Sequence, residues 1–207
     1  MSLLHRVAEQ FRQPEGFFGS LLCRFMEHGN RPANDWTLEC LALKPTDQVL
    51  EVGYGPGAAI EPALRAVPRG RVVGIDFSQT MYRRASRRHA AAIAAGRVAL
   101  LHGELAALPH PPGSFDKVFA VNVLYFVPDP EAWLRALHGL TRPGGRVALF
   151  IRAEQELRRM PFTSTGLFRI YRPDEAVQLA RRAGFARGWF ESRALRGGPG
   201  HVVLAER

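Results

Sequence analysis

The 207 residues carry a formal net charge of +9 and are 46% apolar, which is enough to bury one full-sized core, and no internal repeat or linker divides the chain. The positive charge is nearly all arginine alongside abundant alanine and glycine, a bias that a GC-rich genome produces without selection for nucleic-acid binding, and this argues against a nucleic-acid partner. No apolar run approaches membrane-spanning length and the first residues lack the apolar stretch of a signal peptide, so we expect a cytoplasmic protein without a membrane span.

Three helices are predicted before the first strand, at residues 2–12, 17–28 and 33–43. The middle helix has an apolar stripe at helical spacing, whose members are Phe17, Phe18, Leu21, Leu22, Phe25 and Met26. Such a stripe is typical of a helix that packs against a sheet. Cys23 and Cys40 are interpreted as small apolar residues of these helices, because two isolated cysteines form neither a disulfide framework nor a metal site.

A glycine-rich turn after the first predicted strand is the most informative feature of the sequence. The buried strand 48–53 leads into Gly53, Gly55 and Gly57, and a second strand ends at Asp76. Glycines let the backbone approach a ligand closely, and the helix that follows offers free N–H groups. A carboxylate after the second strand can accept both hydroxyls of a ribose. The pattern therefore predicts a site for a nucleotide-like ligand.

Glu51 distinguishes between two classes of such ligands. The spacing of Gly53, Gly55 and Ala58 also satisfies the dinucleotide fingerprint of nicotinamide and flavin enzymes. A carboxylate on the ligand side, two residues before the first glycine, would repel a pyrophosphate. S-adenosylmethionine has no phosphate and carries a sulfonium and an ammonium group. The same carboxylate therefore favours S-adenosylmethionine.

At this motif the chain resembles the class I S-adenosylmethionine-dependent methyltransferases, in which an acidic residue precedes Gly-x-Gly-x-Gly. The resemblance runs from residue 49 to about residue 152 and is strongest to the branch that includes the ubiquinone and menaquinone C-methyltransferases. It implies S-adenosylmethionine as cofactor. It also implies a set of donor-binding residues: Glu51, Gly53, Tyr54, Gly55, Gly57, Asp76, Phe77, Ser78, Met81, Gly103, Glu104, Leu105 and Asn122.

The resemblance assigns roles to some of these residues. Ser78 would cap the helix after Asp76, a role that serine suits on its own merits. Met81 would pack on the adenine, although it is equally suited to fill the core. Glu104 stands where the family has an aspartate that accepts a hydrogen bond from the adenine amino group. Because Glu104 is one methylene longer and Leu105 replaces a small residue, we expect the adenine contact to be shifted.

Asn122 and Tyr125 follow the fourth predicted strand, 116–121, at the edge where open α/β sheets bind ligands. Methyl transfer from a sulfonium needs an aligned nucleophile and exclusion of water more than it needs a base, so no catalytic triad is expected. Tyr125 is the first candidate for a catalytic residue near the transferring methyl, followed by Tyr54 and Tyr171. Each of the three is equally suited to form a wall of the pocket.

The remaining elements complete a Rossmann-like α/β fold. Further strands are predicted at 71–76, 97–102, 146–151, 185–194 and 201–206, with a helix from Pro173 to Gly184. The last two strands are joined by the short loop 196–200, which requires antiparallel pairing. We therefore predict a seven-stranded methyltransferase sheet, mostly parallel with an antiparallel C-terminal hairpin, and helices on both faces.

Two regions outside the main motifs are candidates for the acceptor pocket. The segment Met160–Tyr171 is too aromatic for a plain loop and begins near the ligand edge of the sheet. In similar methyltransferases, N-terminal additions cover the donor, so residues 1–45 are expected to form a helical lid over a methyltransferase domain at 46–207. Three residues of this lid are close enough to the first strand to reach the cleft: Arg31, Asn34 and Trp36.

The predicted function is methyl transfer from S-adenosylmethionine to a small-molecule acceptor, by a chain that is compatible with a homodimer. Two alternatives stay open, an RNA methyltransferase and a non-catalytic protein that binds S-adenosylmethionine or S-adenosylhomocysteine. Enzymes that methylate amino groups of nucleic acids carry Asp/Asn-Pro-Pro-Tyr after the fourth strand, and only Asn122 and Tyr125 match that pattern. The basic cluster at 83–89 is predicted to be a solvated helix face directed away from the ligand edge.

Overall fold

A computed structural model describes residues 16–166 and 168–207, with side chains from Gly29 onward. The strands are β1 (Gln48–Val52), β2 (Arg71–Asp76), β3 (Val98–His102), β4 (Phe115–Val121), β5 (Thr141–Arg152), β6 (Arg187–Leu195) and β7 (Gly198–Glu206). The helices are α1 (Gly16–Leu41), α2 (Ile60–Ala66), α3 (Gln79–Arg88), α4 (Ala90–Ala94), α5 (Pro130–Leu140), α6 (Glu154–Arg158) and α7 (Pro173–Arg182). Short 3-10 helices lie at Leu105–Ala107, Leu124–Phe126 and Pro161–Thr165.

The strands form one sheet in the order β3-β2-β1-β4-β5-β7-β6. The five strands from β3 to β5 are parallel, and β7 runs antiparallel to both β5 and β6. The predicted fold is therefore confirmed. Because the chain winds from β1 outward to β3 and then returns to place β4 on the other side of β1, the sheet has its switch point between β1 and β4. Ligands of open α/β sheets bind at the carboxyl ends of the strands at such a point.

Helices cover both faces of the sheet, as predicted. β1 is buried from Val49 to Val52, the pattern of a parallel strand covered on both sides. One face packs against α1 and α2 through Leu41 and Ile60. The opposite face packs against α5 and α7 through Leu134 and Ala180. No helix in the described part of the chain has both the length and the apolar character needed to cross a membrane.

Helix α1 differs from the prediction of two separate helices at 17–28 and 33–43. It runs unbroken from Gly16 to Leu41 with Pro32 inside it. Proline removes one helical hydrogen bond. The helix nevertheless continues through Pro32, because burial of Trp36 and Leu41 against the sheet stabilises the segment that follows it. The predicted helix at 2–12 lies outside the described residues, and the side chains of the apolar stripe at 17–26 do too.

The C-terminal hairpin is tighter than the predicted five-residue loop. β6 ends at Leu195 and β7 begins at Gly198, so only Arg196 and Gly197 connect them. Gly198 has a φ of +100°, which glycine adopts readily, and this conformation lets the strands pair up to the turn. β5 is also longer than predicted, because Thr141 pairs with Phe115 before the register shifts.

Candidate functional site

The glycine-rich turn lies at the switch point, between the carboxyl ends of β1 and β4. Gly53 has a φ of +72°, and a Cβ placed on it would lie 2.5 Å from Cγ2 of Val123, the second residue after β4. Gly55 has a φ of +53°, and a Cβ there would meet no atom within 4 Å. The first glycine is therefore required by packing against the protein, whereas Gly55 borders open space.

Asp76 connects this turn to the start of α3. Its Oδ2 accepts a hydrogen bond from the Gly55 N–H at 2.8 Å, and its Oδ1 accepts one from the Ser78 N–H at 2.8 Å. Each carboxylate oxygen has a second lone pair, so the group can still accept hydroxyls. Burial raises the pKa of Asp76, and these two N–H groups oppose the rise. Asp76 therefore organises the predicted donor turn in addition to its predicted role as a ribose ligand.

Glu51 is buried beside Asp76 without a compensating cation. It is 3% exposed, and its Oε2 has no hydrogen-bond partner among the described residues. Burial raises the pKa of Glu51 well above its usual value, and the negative charge of Asp76 raises it further. Neither carboxylate forms an ion pair with a lysine or arginine of the described chain. The pair therefore fits a ligand that brings positive charge and opposes one that brings a pyrophosphate.

The start of α3 forms the next part of the same edge. The Ser78 Oγ accepts a hydrogen bond from the Met81 N–H at 3.4 Å, which confirms the predicted helix cap. Met81 is buried, and the Phe77 ring is 37% exposed, which is unusual for so large an apolar group. The Phe77 carbonyl lies 3.0 Å from Nε2 of His102, so the Phe77 backbone is held against the end of β3.

The end of β3 brings the predicted adenine-side residues next to Asp76. The Gly103 N–H donates to the Asp76 carbonyl at 2.9 Å. Glu104 is exposed, and Leu105 begins a 3-10 helix in which it packs partly into the core. The exposed carboxylate is free to reach a ligand at this edge, and the predicted adenine contact of Glu104 stays a prediction.

Tyr54 lies in the glycine turn, but its side chain is directed toward the sheet. Its hydroxyl donates to the Leu101 carbonyl at 3.0 Å, and its ring occupies the space that a Cβ on Gly74 would need, 2.7 Å from Cδ1. Burial raises the Tyr54 pKa above its usual range. The hydroxyl of Tyr54 is therefore engaged by the backbone of β3, which leaves the Tyr54 main chain as the part that faces the turn.

Residues at the carboxyl ends of β4 and β5 form a polar cluster that includes the N-terminal helix. Asn122 has a φ of +59°, and its Nδ2 donates to the Asn30 Oδ1 of α1 at 3.1 Å. The Tyr125 hydroxyl donates to the Asn122 Oδ1 at 3.3 Å and accepts from the Arg152 N–H. Burial raises the Tyr125 pKa above its usual range, so the hydroxyl keeps its proton. This arrangement disfavours Tyr125 as a general base.

His89 was expected in the solvated basic face at 83–89, and this expectation is wrong. His89 is 8% exposed, and its Nε2 lies 2.8 Å from the Gly57 carbonyl. A carbonyl only accepts, so Nε2 must carry the proton. Burial lowers the His89 pKa, which keeps the ring neutral. The imidazole ring of His89 thus holds the Gly57 carbonyl at the end of the glycine-rich turn. No local sequence signal indicates this role.

The aromatic segment after β5 lies against the same edge, as predicted. The Arg169 N–H donates to the Tyr125 carbonyl at 3.0 Å. The Phe168 ring centroid lies 4.7 Å from that of Phe126 and 5.5 Å from that of Phe162. These rings form an apolar wall beside the polar cluster. By contrast, Trp36 does not reach the cleft, because it packs edge-on against Phe150 on the face of the sheet.

A family model described as "Methyltransferase domain" matches residues 49–145. The ubiquinone biosynthesis O-methyltransferase of Ralstonia nicotianae is 33% identical over 166 residues, which cover 72% of this chain and 67% of that protein. The uncharacterized methyltransferase YdaC of Bacillus subtilis is 31% identical over 120 residues, or 58% of this chain and 64% of YdaC. A solved SAM-dependent methyltransferase of Aquifex aeolicus has a TM-score of 0.72 at 19% identity and is covered over 98% of both chains, so it shares the fold.

For several relatives, the match covers only part of the relative's length. The chain spans between 32% and 64% of the length of four curated proteins that it matches, YdaC among them. The matched family region ends before Arg152 and begins after Asn30. Two members of the polar cluster, Asn30 and Arg152, therefore lie outside the residues that this family model matches.

Proposed function

Because the chain belongs to the class I S-adenosylmethionine-dependent methyltransferases, we propose that it transfers a methyl group from this donor to a small-molecule acceptor. The observation that carries the proposal is the buried Glu51 carboxylate, which has an unpaired oxygen and no compensating cation among the described residues. Glu51 would hold the positive charge of the donor, and Asp76 would accept the ribose hydroxyls. The open space at Gly55 would let the donor approach the backbone.

The donor supplies its own leaving group, because a sulfonium transfers methyl without acid catalysis. The protein then has to orient the acceptor and exclude water. The apolar wall of Phe126, Phe162 and Phe168 suits both tasks for a largely apolar acceptor. We assign Tyr125 to this wall, since its hydroxyl is engaged on both sides. The ubiquinone-pathway name of the Ralstonia relative supports a small-molecule acceptor.

The test compares ligands and then substrates. Melting curves of the purified protein should shift to higher temperature with S-adenosylmethionine and S-adenosylhomocysteine but not with NAD, since a bound ligand stabilises the folded state by mass action. Labelled donor is then offered with a metabolite extract and, separately, with total RNA. Label in a small metabolite supports the proposal, whereas label only in RNA supports the alternative enzyme. Donor binding without any transfer would support a binding protein, and a shift with NAD alone would overturn the family-based assignment of the ligand.

Donor binding is expected to release a proton from Glu51. Since the raised pKa of Glu51 favours its protonated form in the free protein, and a bound cation favours the carboxylate, affinity should rise with pH through that pKa. Calorimetry in two buffers of different ionisation enthalpy measures the released proton. Glu51→Gln should bind the donor about tenfold or more weakly, the loss typical of a hydrogen bond to a charged group, and should release no proton.

The same shift has a stability consequence with the opposite pH dependence. Because the folded-state pKa of Glu51 is raised, its contribution to stability is fully present below its ordinary value of 4.5 and is lost as pH rises through the folded-state value. Without ligand, Glu51→Gln should therefore raise the free energy of unfolding at neutral pH. The exposed acid Glu61 of α2 serves as the control: Glu61→Gln should leave donor affinity and proton release unchanged. It should lower rather than raise the free energy of unfolding, because it loses the exposed ion pair with Arg65. Proton release that persists in Glu51→Gln would contradict the assignment.

A further inference from the structure

Four residues at the ligand edge form a closed ring of hydrogen bonds through their side chains and one main-chain N–H group. The Arg152 N–H donates to the Tyr125 hydroxyl, which donates to the Asn122 Oδ1. The Asn122 Nδ2 donates to the Asn30 Oδ1 at 3.1 Å. The Arg152 Nη2 also donates to the Asn30 Oδ1, at 3.5 Å, which closes the ring. The ring joins α1 to the ends of β4 and β5.

Only one arrangement of protons satisfies this ring. A guanidinium can only donate, so the Asn30 atom that faces Arg152 must be the oxygen. The Asn122 atom that faces this oxygen must then be the amide nitrogen, which leaves the Asn122 oxygen for Tyr125. Tyr125 therefore donates, and its oxygen accepts the main-chain N–H of Arg152. Asn30 takes part in both of its hydrogen bonds as an acceptor alone.

The ring is mechanically connected to the glycine-rich turn. Asn122 is held at a φ of +59°, a conformation that is uncommon outside glycine. The next residue, Val123, packs so closely over Gly53 that a Cβ on Gly53 would clash with the Val123 side chain. A shift of Asn122 would therefore move Val123 and alter the turn. Arg152 also donates from Nη1 to the Gly197 carbonyl, so the C-terminal hairpin fixes the guanidinium that orients Asn30.

We propose that Asn30 is a positioning residue for the donor site, acting as an obligatory acceptor that holds Asn122, and through Val123 the glycine-rich turn, in binding-competent geometry. The proposal rests on the proposed function, because the turn is the part of the chain assigned to the donor. It gives the N-terminal helix a defined role in binding. Asn30 precedes the residues that the family model matches. The contact of Asn30 with Asn122 therefore cannot be inferred from the glycine motif alone.

The proposal is tested with a pair of substitutions that separate acceptor chemistry from shape. Asn30→Asp keeps an acceptor for both Asn122 and Arg152, whereas Asn30→Leu has a similar size and accepts nothing. By calorimetry with S-adenosylhomocysteine, Asn30→Leu should bind about tenfold more weakly, the loss expected for two neutral-acceptor hydrogen bonds, and Asn30→Asp should bind within about twofold of the unmodified protein. Asp35, an exposed residue of the same helix that is not assigned to the site, provides the control, and Asp35→Leu should bind normally.

Folding of the variants is checked by circular dichroism. Leucine is a better helix former than asparagine and Asn30 is only half-buried, so Asn30→Leu should fold; Asn30→Ala, which also lacks the acceptor, provides a second variant. If the unmodified protein does not bind S-adenosylhomocysteine, the proposed function is wrong. If it binds and both variants without the acceptor bind equally well, the role of Asn30 is wrong. Equal loss in Asn30→Asp and Asn30→Leu would also overturn it, because the acceptor would then be irrelevant.

Discussion

Gly55→Val is expected to weaken donor binding more than a hundredfold while the protein remains folded. A Cβ on Gly55 meets no protein atom within 4 Å, so the valine side chain would project into the space proposed for the donor. The positive φ of +53° adds a cost of about 1–2 kcal/mol for a non-glycine residue, which a domain of this size tolerates. Calorimetry with S-adenosylhomocysteine measures the affinity, and circular dichroism reports the fold.

Gly96→Val is the matched control for this substitution. Gly96 also has a positive φ, +68°, and a Cβ there also meets no atom within 4 Å. It lies in the turn before β3, at the edge of the sheet opposite the proposed site. The two variants should thus lose similar stability, and only Gly55→Val should lose affinity. Equal affinity in both would show that the donor does not approach Gly55.

Local signals explain why most of the fold and the position of the candidate site could be predicted. The buried run at β1, the glycine turn and the acid that ends β2 all lie within one strand-turn-helix-strand unit. Ser78 could be predicted as a cap because capping depends on residues three positions apart. The antiparallel hairpin followed from the shortness of its loop. Each of these features is encoded by residues that are close in sequence.

The supports of the site could not be predicted because they depend on distant contacts. Asn30 and Asn122 are 92 residues apart, and His89 and Gly57 are 32 apart. His89 follows four arginines, and its charge pattern indicated solvent exposure. Its burial is decided by how α3 packs under the turn, which no short pattern encodes. The glycine motif predicts where a ligand binds, but the residues that fix its shape come from other parts of the sheet.

The unbroken helix α1 shows the limit of local reasoning most clearly. Gly29, Asn30 and Pro32 each disfavour a helix interior, and together they predict a break. The second half of α1 is buried on β4, β5 and β7 through Trp36 and Leu41, and this burial outweighs the local preference. The unbroken helix places Asn30 within hydrogen-bond distance of Asn122, so the residue that propensity would assign to a turn becomes part of the polar cluster.

Asp76→Ala is expected to weaken donor binding by about 1.5–3 kcal/mol or more, which is about tenfold to over a hundredfold. The range of about 1.5–3 kcal/mol is the usual loss for hydrogen bonds to a charged group. Asp76 also accepts the N–H groups of Gly55 and Ser78, so its removal frees the turn as well as the proposed ribose contact. The fold should survive, because burial raises the Asp76 pKa and the charged form is therefore not favoured by folding.

Asp116→Ala separates a binding loss from the general loss of a structural carboxylate. Asp116 also accepts a main-chain N–H, that of Gln48 at 2.7 Å, and pairs with Arg142 at the opposite edge of the sheet. The loss of stability in Asp116→Ala should be at least as large as that in Asp76→Ala. Asp116→Ala should nevertheless keep its affinity for S-adenosylhomocysteine. If Asp76→Ala binds S-adenosylhomocysteine as well as Asp116→Ala does, Asp76 does not hold the ribose, and its hydrogen bonds to Gly55 and Ser78 are not needed for donor binding.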